Sequence, residues 1–174
     1  MNENRHQRDK PFEPLFTNHS MGKYIMTKQL RPKIYSGSCH CGNVAVSFCT
    51  KLGLDQIRAC SCHFCKKHGA RTTSDPNGRL QLVIKNQDLI SRYSFNLHAA
   101  EYMICKNCGI YIAACGLYNG KIYSTLNVNV LESPDVFDID PIIVNYENET
   151  LEERVARRLV KWTPTTITSV DPEE

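Results

Sequence analysis

The chain has 174 residues, 41% of them hydrophobic, and a formal net charge of +3. That length suits one domain rather than two, and so mild a charge leaves no electrostatic footprint for a nucleic-acid partner. The longest apolar stretch, near 110–118, is far short of the roughly 20 residues a membrane-spanning helix needs.

The opening MNENRHQRDK is polar and mixed in charge. It has no apolar core of a signal peptide, so the expected location is cytoplasmic, with no membrane partner. Residues 1–33 read as an N-terminal extension with Pro11, Pro14 and Pro32 and little periodicity, and Met21 and Met26 are candidate alternative starts. The folded domain is expected over 34–165, followed by a tail over 166–174. Within the domain, period-two alternation predicts strands with one buried face. Val44, Val46 and Phe48 share one such face, and Leu80, Leu82 and Ile84 another. Residues 90–95, 101–104 and 110–114 follow, and Leu126, Val128 and Val130 make a sixth strand. Turn signals separate them at Asp75-Pro76-Asn77-Gly78, Tyr118-Asn119-Gly120 and Ser133-Pro134-Asp135. One helix is predicted. Thr150 and Glu153 fit a capping box, and Leu151, Val155, Leu159 and Trp162 form an apolar stripe expected to dock on the sheet, with Pro164 as the stop.

Nine cysteines occur, at 39, 41, 49, 60, 62, 65, 105, 108 and 115. An odd count cannot pair fully within one chain. In a reducing compartment, clustered cysteines bind metal or do chemistry rather than form disulfides. Three clusters stand out: Cys39-His40-Cys41-Gly42, Cys60-Ser61-Cys62-His63-Phe64-Cys65, and Cys105-Lys106-Asn107-Cys108-Gly109. Glycine directly after a cluster can take positive φ and relieve crowding as the chain turns about one metal. Cys39, Cys41, Cys105 and Cys108 supply the four ligands of a closed, structural zinc site, clamping an early strand to a late one. Cys60, Cys62 and Cys65 supply three, the number that leaves a fourth position open to substrate. His63 is a candidate fourth ligand, poorly placed beside Cys62. Cys49 and Cys115 read as small core residues, while His40, His63 and His68 lie near the clusters as candidates for proton transfer.

The ordered set Gly37-Ser38-Cys39-His40-Cys41-Gly42, Cys60-x-Cys62-x-x-Cys65 and Cys105-x-x-Cys108-Gly109 resembles the glutathione-dependent formaldehyde-activating enzyme family. Lys66-Lys67-x-Gly69 extends the resemblance. Tyr93-Ser94-Phe95-Asn96-x-x-Ala99, with Cys108-Gly109-Ile110-Tyr111, looks more like the branch that contains centromere protein V. The resemblance implies a mainly β, Mss4-like fold of small antiparallel sheets around zinc, which the sequence completes with a C-terminal helix. It implies zinc on Cys39, Cys41, Cys105 and Cys108, and a second, labile zinc on Cys60, Cys62 and Cys65 at the active site. The implied activity is that of a carbon–sulfur lyase, with glutathione as co-substrate adding reversibly to formaldehyde or another small aldehyde. On this reading Cys60, Cys62 and Cys65 are the catalytic set. Lys66, Lys67 and Arg71, which follow it, are candidates to attract the two carboxylates of glutathione. The competing readings are a non-catalytic, zinc-scaffolded binding module and a thiol-based metal or redox sensor. The sequence carries no sign of oligomeric state.

Overall fold

The computed structural model describes residues 31–170. Met21, Met26, nearly all of the expected extension and the last four residues of the expected tail lie outside them. The elements run β1 (Lys33–Ser38), β2 (Val44–Thr50), β3 (Arg58–Cys60), α1 (His63–Lys67), β4 (Thr72–Thr73), β5 (Arg79–Ile84) and β6 (Ile90–Tyr93). They continue with β7 (Glu101–Cys105), β8 (Tyr111–Tyr118), β9 (Lys121–Asn127), β10 (Ile142–Val144), α2 (Leu151–Lys161) and β11 (Thr163–Ser169). The fold is mainly β with one long, C-terminal helix. Its strands join in a single sheet, in the order β1-β2-β5-β11-β9-β4-β3-β10, with β8, β7 and β6 branching in turn from β9. Most pairs are antiparallel, but β11 runs parallel to β5, and β10 parallel to β3.

The alternating patterns of β2 and β5 put Val44, Val46 and Phe48 opposite Ile84, Leu82 and Leu80 across an antiparallel register. All six side chains are buried, and Met103, Ile112 and Leu126 join them in one core. Each such burial contributes about 1.5–3 kcal/mol. Cys115 lies in this core, accepting from the Ser124 hydroxyl and donating to the Met103 sulfur. Cys49 does not: it points to the other face of β2, partly exposed. The β8–β9 hairpin turns on Asn119 and Gly120, both at positive φ, as the mirror-image two-residue turn requires.

Four expectations need correction. The strand expected through Leu126, Val128 and Val130 ends at Asn127, and residues 128–130 form a 3₁₀ turn instead. The Asn127 side chain accepts from the Asn129 backbone N–H and so starts that turn, while Val128 and Val130 stay buried. Residues 166–169, assigned to a tail, continue β11, which lies between β5 and β9. Pro164 ends no helix by itself: α2 closes at Lys161, and Pro164 sits near the start of β11 opposite Tyr123.

The fourth correction concerns the inward face of α2. Its capping box is present, with Thr150 Oγ1 accepting from Glu153 N and the Glu153 carboxylate accepting from Thr150 N. Its inward face is not the apolar stripe. Leu151 is exposed, Val155 and Leu159 are only partly buried, and the buried residues of the helix are Arg154 and Arg158. Trp162, at the C-cap, is buried on the same side, against Ala100 and Ala114.

Candidate active site and metal centres

Two hairpin turns build the first cysteine cluster. In the turn after β1, Gly42 N–H donates to the Cys39 carbonyl, and Val44 N–H to Cys39 Sγ at 3.3 Å. In the turn after β7, Gly109 N–H donates to the Cys105 carbonyl in the same way. Gly42 and Gly109 both adopt φ of +73°, where a side chain would be strained. The repeated geometry aims two thiols from each turn at one point. Cys41 Sγ lies 3.7 Å from Cys39 Sγ and 3.5 Å from Cys105 Sγ. All four sulfurs of Cys39, Cys41, Cys105 and Cys108 fall within 4.8 Å of one another. A tetrahedron with metal–sulfur bonds of about 2.3 Å has sulfur–sulfur edges of about 3.8 Å, so the four thiols fit a metal ion. They do not fit disulfides, whose sulfurs lie about 2 Å apart. The Asn107 side chain, donating to Cys41, holds its thiol down to about 6, while burial pushes Cys105 up to about 12.

The second cluster spans a strand-to-helix junction. Cys60 ends β3, Cys62 caps α1, and Cys65 follows one turn later on the same side of that helix. Their sulfurs also lie within 4.8 Å of one another, and this set too could hold a metal ion. His63 is exposed and stands apart from the three thiols. Donation from Cys65 holds Cys60 down to about 6, and the same contact, with burial, raises Cys65.

The two clusters differ in their surroundings. Cys60, Cys62 and Cys65 open onto a cavity of about 260 Å³. Its aromatic walls are Phe95, Tyr102, Tyr111, Tyr146 and Trp162. Burial pushes the Tyr102 hydroxyl up to about 12 and raises the Tyr111 hydroxyl well above its ordinary value. Arg58 and four cations of the α2 segment, Arg154, Arg157, Arg158 and Lys161, line the same space against one carboxylate, Glu147. Arg157 is held by Glu149 through Nε at 2.5 Å and Nη2 at 2.8 Å, and its guanidinium stacks 3.7 Å from the Tyr146 ring.

Lys66 and Lys67 are exposed on α1, and neither lines the cavity. Arg71 donates to the Ile139 carbonyl and is likewise outside the lining. The cations at the site are therefore not those expected from the residues after Cys65. They come from α2, where the sequence signal was present but ambiguous. Arg154, Arg158 and Trp162 recur every four residues, which is one helix face, and an arginine face is ordinarily a solvated one. His40 and His68 are exposed, His68 packing on the Phe64 ring at 4.4 Å between centroids.

A family model described as glutathione-dependent formaldehyde-activating enzyme matches residues 34–144. The crystal structure of a Rhodobacter sphaeroides protein matches with a TM-score of 0.51 and 28% sequence identity, covering 62% of this chain and 97% of that one. All seven clustered cysteines fall inside the matched segment. The helix α2 and strand β11 fall beyond it. Among the described residues, no helix is long and apolar enough to cross a membrane.

Proposed function

The chain belongs to the glutathione-dependent formaldehyde-activating enzyme family, and from that premise we propose that it is a zinc-dependent carbon–sulfur lyase. Its reaction is reversible addition of the glutathione thiol to formaldehyde or another small aldehyde. The observation that carries this reading is the pairing of three convergent thiols, Cys60, Cys62 and Cys65, with a cavity beside them. The first cluster, Cys39, Cys41, Cys105 and Cys108, has a full set of four protein ligands and serves as a structural zinc site.

A zinc ion on Cys60, Cys62 and Cys65 would keep its fourth position for a substrate thiol and favour the thiolate form. The protein's own groups do the rest. A substrate bound between the aromatic walls would displace water from the cavity, which strengthens each polar contact inside. Tyr102 stays protonated through the neutral range, because its pKa is raised to about 12. It is therefore available to donate a hydrogen bond to the oxygen of the aldehyde as negative charge develops there. In the addition, the S–H bond breaks, a C–S bond forms, and the carbonyl π pair moves to oxygen. The proton given up by sulfur ends on that oxygen, so the product is the S-hydroxymethyl thioether. The reverse reaction returns the proton to sulfur and frees the aldehyde.

The test is direct. Zinc-loaded protein is mixed with glutathione and formaldehyde, and adduct formation is followed by exchange NMR against the spontaneous rate. The expected result is an acceleration lost in Cys62→Ala and kept in the surface variant Lys121→Gln. A rate equal to the spontaneous one overturns the proposal for this substrate pair.

A further inference from the structure

Among the described residues the ion pairs are Arg92–Glu101, Arg154–Glu149 and Arg157–Glu149. Arg58 and Arg158 thus line the cavity without a carboxylate partner. Arg158 is the more telling of the two. It is 4% exposed, and its guanidinium stacks 4.4 Å from the Trp162 ring. Its Nη1 donates to the Ala99 carbonyl at 2.5 Å and to the Tyr118 hydroxyl at 2.9 Å. These acceptors are neutral, and its Nε is buried with no partner at all. Arg154, 9% exposed, repeats the pattern only in part: Nη2 donates to the Tyr146 carbonyl and Nε makes no hydrogen bond, but Nε is ion-paired with Glu149 at 3.5 Å.

A buried guanidinium without a counter-ion is costly, because burial strips its hydration and neutral acceptors replace only part of it. The three thiols do not supply the missing charge by contact, since no hydrogen bond joins them to Arg58, Arg154 or Arg158. Arginine is also the cation best shaped for planar, two-toothed recognition of a carboxylate. We propose that the inward face of α2, Arg154, Arg158 and Trp162, together with Arg58 of β3, is an anion-recognition wall. It restricts the open cysteine site to thiols that carry carboxylates, and Arg158 is its specificity-determining residue. Guanidiniums on two separate elements suit a ligand with more than one carboxylate. Of these residues, Arg58 lies within the segment that the family model matches, and Arg154, Arg158 and Trp162 lie beyond it. The inference rests on reading that site as the place where a substrate thiol binds.

S-methylglutathione and its diethyl ester test the wall separately from the chemistry. Neither has a free thiol, so neither can add to an aldehyde, and they differ only in their two carboxylates. Calorimetric titration of the zinc-loaded protein should show the acid binding well above the ester. Arg158→Gln should weaken the acid by at least about 30-fold, the low end for removing one partner of a buried charge pair, and leave ester binding unchanged. Arg158→Lys, which keeps the charge but loses the fork, should fall between. Circular dichroism melting checks that each variant is folded, and the wild-type comparison needs no variant. Equal affinity for acid and ester in the wild type, absence of binding by the acid, or an intact preference in folded Arg158→Gln would overturn the wall. Those outcomes leave the lyase reading standing if adduct formation is still accelerated. A clear acid preference with no acceleration supports the wall and removes the lyase reading.

Discussion

Consider the double substitution Cys39→Ala/Cys41→Ala beside Cys60→Ala/Cys62→Ala. Each removes the thiols that let one metal cross-link the chain, but the loops differ greatly. Cys41 and Cys105 are 64 residues apart in sequence. On the chain-entropy form, cross-linking a loop of 64 residues removes about 14–15 cal/mol/K from the unfolded ensemble, about 4 kcal/mol at 25 °C. Cys60 and Cys65 are five apart, and the same expression gives about 2 kcal/mol. Cys39 is also fully buried, so its truncation adds to the first loss. For a protein of this size, about 2–4 °C per kcal/mol gives a melting-point drop of about 8–16 °C for the first variant and about 4–8 °C for the second. Urea unfolding of the zinc-loaded proteins measures both. In zinc-free protein the gap between the two variants should shrink to the packing cost of Cys39. Equal losses in the loaded proteins, or a larger loss from the Cys60/Cys62 pair, would refute the assignment of a clamping role to the first cluster.

Tyr102→Phe should slow adduct formation about 10²-fold, toward the low end for removal of one donor to a developing oxyanion, while glutathione binding measured by calorimetry stays unchanged. Thr150→Ala removes the acceptor for Glu153 N–H at the start of α2 and should cost about 1 kcal/mol of stability, read as a small fall in melting temperature. Glu149 has its carboxyl held below the ordinary value of 4.5, chiefly by the hydrogen bond from Arg157. A depressed folded-state pKa stabilises the fold above the unfolded value, and that contribution is lost as pH falls through the folded value. The stability gap between wild type and Glu149→Gln, about 1 kcal/mol after allowing for solvent screening, should therefore be full at pH 7 and shrink only below about pH 4.5, as followed by denaturant titration across pH.

The features legible in the sequence were those decided locally. The spacing of the cysteines and the glycines after two of the clusters foretell which sulfurs converge, because a tight turn determines the geometry over a few residues. The capping box of α2 and the alternation of β2 and β5 are local in the same sense. What escaped was decided by distant partners. Thr163–Ser169 is rich in threonine and contains a proline, so it carries little hydrophobic alternation, yet β5 and β9 supply hydrogen bonds on either side of it. The inward arginines of α2 follow from the cavity they face, whose other walls are far away in sequence. Lys66 and Lys67 show the converse: closeness to Cys65 along the chain put them near the site in sequence, while the direction of α1 left them outside.

The position of β11 also bears on how the two parts of the sheet are held together. Of the strands on the main path, β1, β2 and β5 lie on one side of it, and β9, β4, β3 and β10 on the other. Apart from β11, the two sides are linked by the Gly37–Leu131 bridge, by the four-thiol cluster, which joins the β1–β2 turn to the β7–β8 turn, and by the core that β2 and β5 share with β7, β8 and β9. The strand that joins them in one sheet follows directly on α2, so that join and most of the cavity's cations come from the same stretch of chain. A chain interrupted between Val144 and Leu151 would retain every clustered cysteine yet lack both α2 and β11. It would keep both groups of thiols that could hold a metal ion and lose the cations that α2 brings to the cavity beside the second group.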